Sequence, residues 1–288
     1  MQPYYYKYCQ GQKNTAMKLK NGLMIFCAAA FTLAACKKDI KDTDTPPPVP
    51  VPKHLLKSVE FKDLNATGVY GYNTDSTLQK ITYTGASSGA ITSFQYDTNG
   101  ISKIMVTGSL YQTTYAYTNG KISTIFMTEL GFELKGHQLV YSYNDDGSVS
   151  ELRYYSINEA PAQLKYTSTY TYDAGGQLAK VVSINNTSKI TWTIDAYSDS
   201  CEFVPWTFIS TSLDELYEVY NYPVLSRMNR LPKKITQTIE ANGAAPYVEK
   251  IRETNFTITG KRIDKTISTL TFPKHPAYNS SWEVLFHY

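Results

Sequence analysis

The sequence predicts an all-β chain: an antiparallel meander of hairpins, closed or nearly closed into a water-soluble barrel, with one short helix near residues 213–221. Three observations predict it. A tyrosine-headed segment recurs along the chain, most copies carry a glycine turn signal, and the intervening stretches alternate between tyrosine and small polar residues.

The recurring segment appears first as Tyr72 to Ile81, then as Tyr96-Asp-Thr-Asn-Gly100-Ile101-Ser-Lys-Ile104, Tyr117 to Ile125, Tyr143 to Leu152 and Tyr172 to Val181. A sixth, decayed copy runs from Phe256 to Ile263. The tyrosines are spaced 24, 21, 26 and 29 residues apart, too unevenly for a strict solenoid but clearly as a repeated unit. Asn or Asp followed by Gly supplies the positive-φ positions of a tight hairpin turn. The strand entering a turn alternates, as in Leu164-Lys-Tyr166-Thr-Ser168-Thr-Tyr170-Thr-Tyr172, which describes a sheet with one buried and one wet face. The strand leaving it carries apolar residues at i and i+3, which breaks the alternation and predicts a bulge just after the turn.

Beyond residue 195 the repeats stop. Ser212-Leu-Asp-Glu215 reads as a capping box, and Leu213, Leu216, Tyr217 and Tyr220 fall on one helical face, with Pro223 expected to end the helix. The last segment, Trp282 to Tyr288, places its aromatics on one face and resembles the final strand of outer-membrane barrels. The wet faces elsewhere are Thr, Ser, Gln and Lys and offer no lipid-facing band, so it is read as the closing strand of a soluble sheet.

The N-terminal region reads as an export signal. Met17-Lys18-Leu19-Lys20 and the apolar run from Gly22 to Ala35 form the charged and hydrophobic parts of a leader, too short to span a bilayer. Leu33-Ala34-Ala35-Cys36 resembles the box of bacterial lipoproteins, which implies cleavage before Cys36 and lipid on its sulfur and amino group. Two or more acyl chains anchor a protein stably. Residues 1–16 are expected to precede the true start, 17–35 to be the leader, 36–53 a lipidated, proline-rich tether, and 54–288 the β-meander domain. The residue after Cys36 is Lys37, which favours the outer membrane or the cell surface over inner-membrane retention.

Composition narrows the function classes. Four of the 28 basic residues and none of the 25 acidic ones lie in residues 1–35, which leaves 24 basic against 25 acidic in the exported part. That balance argues against a nucleic-acid partner. Cys201 is the one cysteine beyond Cys36, so an internal disulfide is not expected.

The Tyr-Asp/Asn-x-x-Gly units are similar to the YD/Rhs repeats of large bacterial wrapping proteins. Together with the Cys36 box they resemble a family of Bacteroidetes lipoproteins of unknown function with a porin-like β-barrel fold. The resemblance covers about residues 57–272 and implies architecture without an activity.

No nucleophile–base pair, paired carboxylates or metal-ligand spacing stands out, so neither an enzyme nor a cofactor is expected. Cys201 and the scattered His54, His137, His275 and His287 carry no catalytic signature. Asn144-Asp-Asp-Gly147 lacks the ligand pattern of a calcium loop and reads as a turn, and Arg227 to Lys234 as a solvated basic face. If any tyrosines meet a ligand, Tyr115, Tyr141, Tyr170 and Tyr172 are the candidates. The leading expectation is a membrane-tethered, non-catalytic protein that binds a glycan or protein, or plays a structural part. The alternative is a barrel carrying a small amphipathic ligand.

Overall fold

The computed structural model describes residues 55–86, 89–109, 111–130, 135–158, 160–211, 217–241 and 243–288, with 210 and 211 described by their backbone alone. The leader, Cys36, the tether and residues 212–216 of the capping-box segment lie outside them.

Sixteen antiparallel strands follow one another around a closed barrel. A short β1 (Ser58–Phe61) precedes five hairpins. These are β2 (Ala66–Tyr72) with β3 (Leu78–Gly85), β4 (Ile91–Asp97) with β5 (Gly100–Val106), β6 (Tyr111–Thr118) with β7 (Lys121–Glu129), β8 (Gly136–Tyr143) with β9 (Val149–Ser156), and β10 (Gln163–Tyr172) with β11 (Leu178–Ile184). β12 (Ser188–Tyr197) and β13 (Pro232–Ala241) pair across a long insertion, and β14 (Tyr247–Thr259), β15 (Arg262–Thr271) and β16 (Ser280–His287) complete the wall. Phe286 of β16 lies opposite Val59 of β1, and this pairing closes the sheet. Trp282 to Tyr288 is therefore the closing strand, with Val284 and Phe286 buried.

Each repeat is one hairpin. Asn144 accepts from the Gly147 amide, and the Asp146 carboxylate takes bonds from the Ser148 amide and hydroxyl, so the Asn144–Gly147 stretch is a turn. Gly147 and Gly176 occupy the left-handed region at φ 82 and 76. One residue past the turn the register slips. Tyr72 faces Leu78 but Gly71 faces Lys80, and the same shift follows Tyr96, Tyr117, Tyr143 and Tyr172. Residues 79, 102, 123, 150 and 179 are the extra ones, and the bulge turns both apolar residues of the i, i+3 pair to the inside. Leu78 and Ile81, Ile101 and Ile104, Ile122 and Ile125, Val149 and Leu152, and Leu178 and Val181 are all buried. The decayed copy slips likewise, Ile258 facing Ile263, so Ile258 holds the tyrosine position and not Phe256.

The outer wall is wet. Lys189–Glu240 (3.2 Å), Lys234–Glu253 (2.7 Å) and Lys265–Glu283 (2.6 Å) are ion pairs on its strands. Such charges on a strand face are costly against hydrocarbon. Among the described residues two helices, α1 (Pro205–Thr211) and α2 (Tyr222–Leu225), lie in the insertion. The sequence places one helix over 213–221; of its described residues, 217–219 form a turn and 220 a bend. Pro223 stands in the first turn of α2, where its missing N–H is no loss, so it helps start a helix instead of ending one.

Candidate functional site

A barrel of sixteen strands is wide, and wall side chains alone do not fill its bore. The described part of the insertion between β12 and β13 packs into it. Trp206 stacks on Tyr222 (4.8 Å, 8°), lies tilted against Phe94 of β4 (5.3 Å) and meets Tyr115 of β6 edge-on (6.3 Å). Phe208 stacks on Phe286 of β16, and Thr207 shares a 2.9 Å hydrogen bond with Tyr70 of β2. Tyr70 of β2 and Tyr170 of β10 stand across the ring from each other, and bonds from Thr207 to the one and Asn221 to the other place this segment inside the bore.

Asn221 organises it. The residue is fully buried, its amide donates to the carbonyls of Tyr217 and Glu218 (3.0 Å each), and its oxygen caps α2 by accepting from the Val224 amide (3.1 Å). The same amide reaches the Tyr170 hydroxyl at 3.4 Å. The basic stretch expected to be solvated is partly structural. Arg227 donates to the Asp146 carbonyl and Arg230 to that of Ser198, both at 2.8 Å, while Lys234 pairs with Glu253. One guanidinium thus ties the insertion to a repeat turn, and the other closes the insertion on itself.

The tyrosines fall into two groups. Those heading the repeats, joined by Tyr197 at the end of β12, form a ladder. Tyr72 donates to the Leu56 carbonyl, Tyr96 to Leu78, Tyr117 to Ile101, Tyr143 to Ile122, Tyr172 to Val149 and Tyr197 to Leu178. Pairing between one hairpin and the next begins two residues later, at Lys80, Lys103, Thr124, Glu151 and Lys180. Each hydroxyl therefore supplies a donor where the ladder has none. Tyr288 extends the series by bonding the Ile263 backbone. Burial pushes Tyr72, Tyr172 and Tyr288 up to about 12. Of the four candidate ligand tyrosines, Tyr172 is thus a rung. The other three belong to a second group that faces the insertion: Tyr141 and Tyr170 are buried, and Tyr115 packs on Trp206.

Nearer the end of the bore opposite the tight turns, His137, Tyr154 and Tyr166 stack from β8 to β10 (5.2 Å, then 4.8 Å). Burial lowers the His137 pKa, and Lys165 adds to that. Glu218 of the insertion bonds Tyr166, and its burial holds the carboxyl up at about 7. His275 and His287 lie elsewhere, beside Tyr278 and Glu60. Cys201 is buried with its thiol pKa raised by that burial, Ser198 Oγ lying 3.8 Å away. Among the described residues no three His, Cys, Asp or Glu side chains gather as a metal site.

A second polar locus lies between β14, β15, β16 and the insertion. Arg252 is 8 % exposed, with its guanidinium carbon 5.1 Å from the Tyr220 ring and 5.2 Å from that of Trp282. It lines a cavity of about 10 Å³ together with Thr207, Thr254, Thr266 and Ser268. Sequence reasoning missed Asn221, Glu218 and Arg252. The inward parity of Arg252 between Lys250 and Thr254 was the one signal available for it.

No protein-family model matches the chain, and no curated protein matches it in sequence. Solved structures do match in architecture, two porin-like proteins among them. A porin-like protein from Bacteroides vulgatus superposes with a TM-score of 0.55 at 14% identity, covering 82% of this chain and 99% of its own. A porin-like protein from Bacteroides uniformis gives 0.53 at 14% identity, over 81% of this chain and 96% of its own. The chain is a porin-like closed β-barrel. At this identity the likeness concerns the fold, which agrees with the meander expected from the repeats.

Proposed function

We propose that this porin-like barrel is a non-catalytic protein of the bacterial outer membrane or cell surface, held there by lipid on Cys36. It binds a glycan or protein partner through its ends and outer face, or supports other envelope components. The observation that carries this reading is the filled bore within a charged wall. Trp206, Phe208 and Tyr222 occupy the space a solute would cross, and the strand faces carry ion pairs where a membrane-spanning barrel needs an apolar band. The cavity beside Arg252, about 10 Å³, has room for one water, far below the few hundred Å³ of a small-molecule site. It does not favour the carrier reading, and Tyr115, Tyr141, Tyr170 and Tyr172 serve as packing and ladder residues on this account.

Two measurements on the full chain expressed in a bacterial host test the proposal. Metabolic labelling with palmitate is expected to mark the chain and to fail for Cys36→Ser, which should also leave the membrane fraction; a labelled Cys36→Ser chain would refute the anchor. Liposomes carrying the purified chain are expected not to swell in permeating sugars, and swelling like that given by an open porin would refute the filled-bore reading.

A further inference from the structure

The bore holds a cation that the described residues leave unbalanced. Arg252 is buried, yet among the described residues its guanidinium has no carboxylate partner and its Nε no hydrogen-bond acceptor. A buried arginine is ordinarily neutralised by a carboxylate, because removing the charge from water is otherwise costly. Here Tyr220 and Trp282 cover it at 5.1 and 5.2 Å. Aromatic faces attract a cation, but they accept nothing from N–H groups lying in the guanidinium plane. The remaining surroundings are hydroxyls. Thr254, Thr266 and Ser268 are each at most 4 % exposed, Thr254 and Ser268 share a 2.9 Å bond, and Thr207 faces them from the insertion. Among the described residues no acidic side chain lines the cavity these groups share with Arg252.

We propose that this cavity is a binding site for a small monovalent anion of halide size. A positive guanidinium and several hydroxyl donors form a cradle for one negative charge, and the rings shield the guanidinium from water. The volume of about 10 Å³ accepts a single water-sized or monatomic occupant and excludes a carboxylate or phosphate on a larger molecule. The anion completes the interior of the barrel: it sits where β14, β15 and β16 meet the insertion, and holds them together by neutralising the charge between them. The rival occupant is a water molecule, which satisfies one donor but leaves the charge in place.

The test uses the full chain. Crystals soaked in bromide are expected to show an anomalous peak in contact with the Arg252 guanidinium; a water there with no bromide signal overturns the proposal. In solution, chloride or bromide at about ten times the dissociation constant should raise the thermal midpoint by about 4 °C, whereas gluconate at equal ionic strength should not. The rise should vanish in Arg252→Gln. An equal rise with gluconate, or a halide rise that persists in Arg252→Gln, refutes the site. Should Arg252→Gln fail to fold, the bromide peak decides alone.

Discussion

Tyr143 contributes a single oxygen to the ladder, and that oxygen is what distinguishes it from phenylalanine. Its hydroxyl donates at 2.6 Å to the Ile122 carbonyl, which has no strand partner at that point. Tyr143→Phe keeps the ring packing and orphans the carbonyl, so it should cost about 1 kcal/mol, read as a lowered denaturant midpoint with an unchanged slope. Glu218 gives a residue-scale prediction of a different kind. Its carboxyl is raised to about 7 in the fold, against an ordinary value near 4.5 in the unfolded chain. Between these values the folded state holds a proton that the unfolded state has lost, so stability falls as pH rises from about 4.5 to 7 and then levels off. Glu218→Gln keeps an acceptor for Tyr166 without the charge. It should remove this slope and stabilise the protein at pH 8 by about 1–3 kcal/mol, measured by unfolding at several pH values.

At the scale of the element, the unit is a hairpin with a bulge, and the turn glycine decides whether it forms. Gly147 and Gly176 both have positive φ, where a Cβ strains the backbone by roughly 1 kcal/mol or more. Their surroundings differ. A Cβ on Gly176 meets nothing within 4 Å, whereas one on Gly147 lies 2.8 Å from an Arg227 nitrogen. Gly176→Ala should therefore show the conformational cost alone. Gly147→Ala should lose more, since it also displaces the guanidinium that ties the insertion to this turn, and thermal unfolding of the pair measures the difference. Hairpins of this kind were legible in the sequence. The tyrosine marks a strand end, the glycine its turn, and the apolar pair at i and i+3 the bulge that puts both residues inside. The tyrosine ladder was not legible, because a hydroxyl's partner lies in the preceding repeat and depends on where pairing between hairpins begins. Nor was the register of the decayed copy, where Ile258 stands in the tyrosine position and Phe256 only resembles it.

For the whole molecule the decisive fact is that a wall of sixteen strands encloses more space than its own side chains fill. Local pattern counts the hairpins, but it does not say that Trp206, Phe208 and Tyr220 to Tyr222 turn inward, because an insertion without periodicity gives no direction. Only the topology does: β12 ends and β13 begins at the tight-turn end, and what lies between them has a bore to fill. The barrel and its filling should then be stable together or not at all. Trp206 is the test, because it joins Tyr222 of the insertion to Phe94 and Tyr115 of the wall. Trp206→Ala removes that junction and should cost about 3–5 kcal/mol. If the insertion supports the wall, amide exchange should quicken in the insertion and equally in β4 and β6, two strands Trp206 touches from inside. Faster exchange in the insertion alone would mean that the wall stands without its filling, and the bore could then be emptied by design.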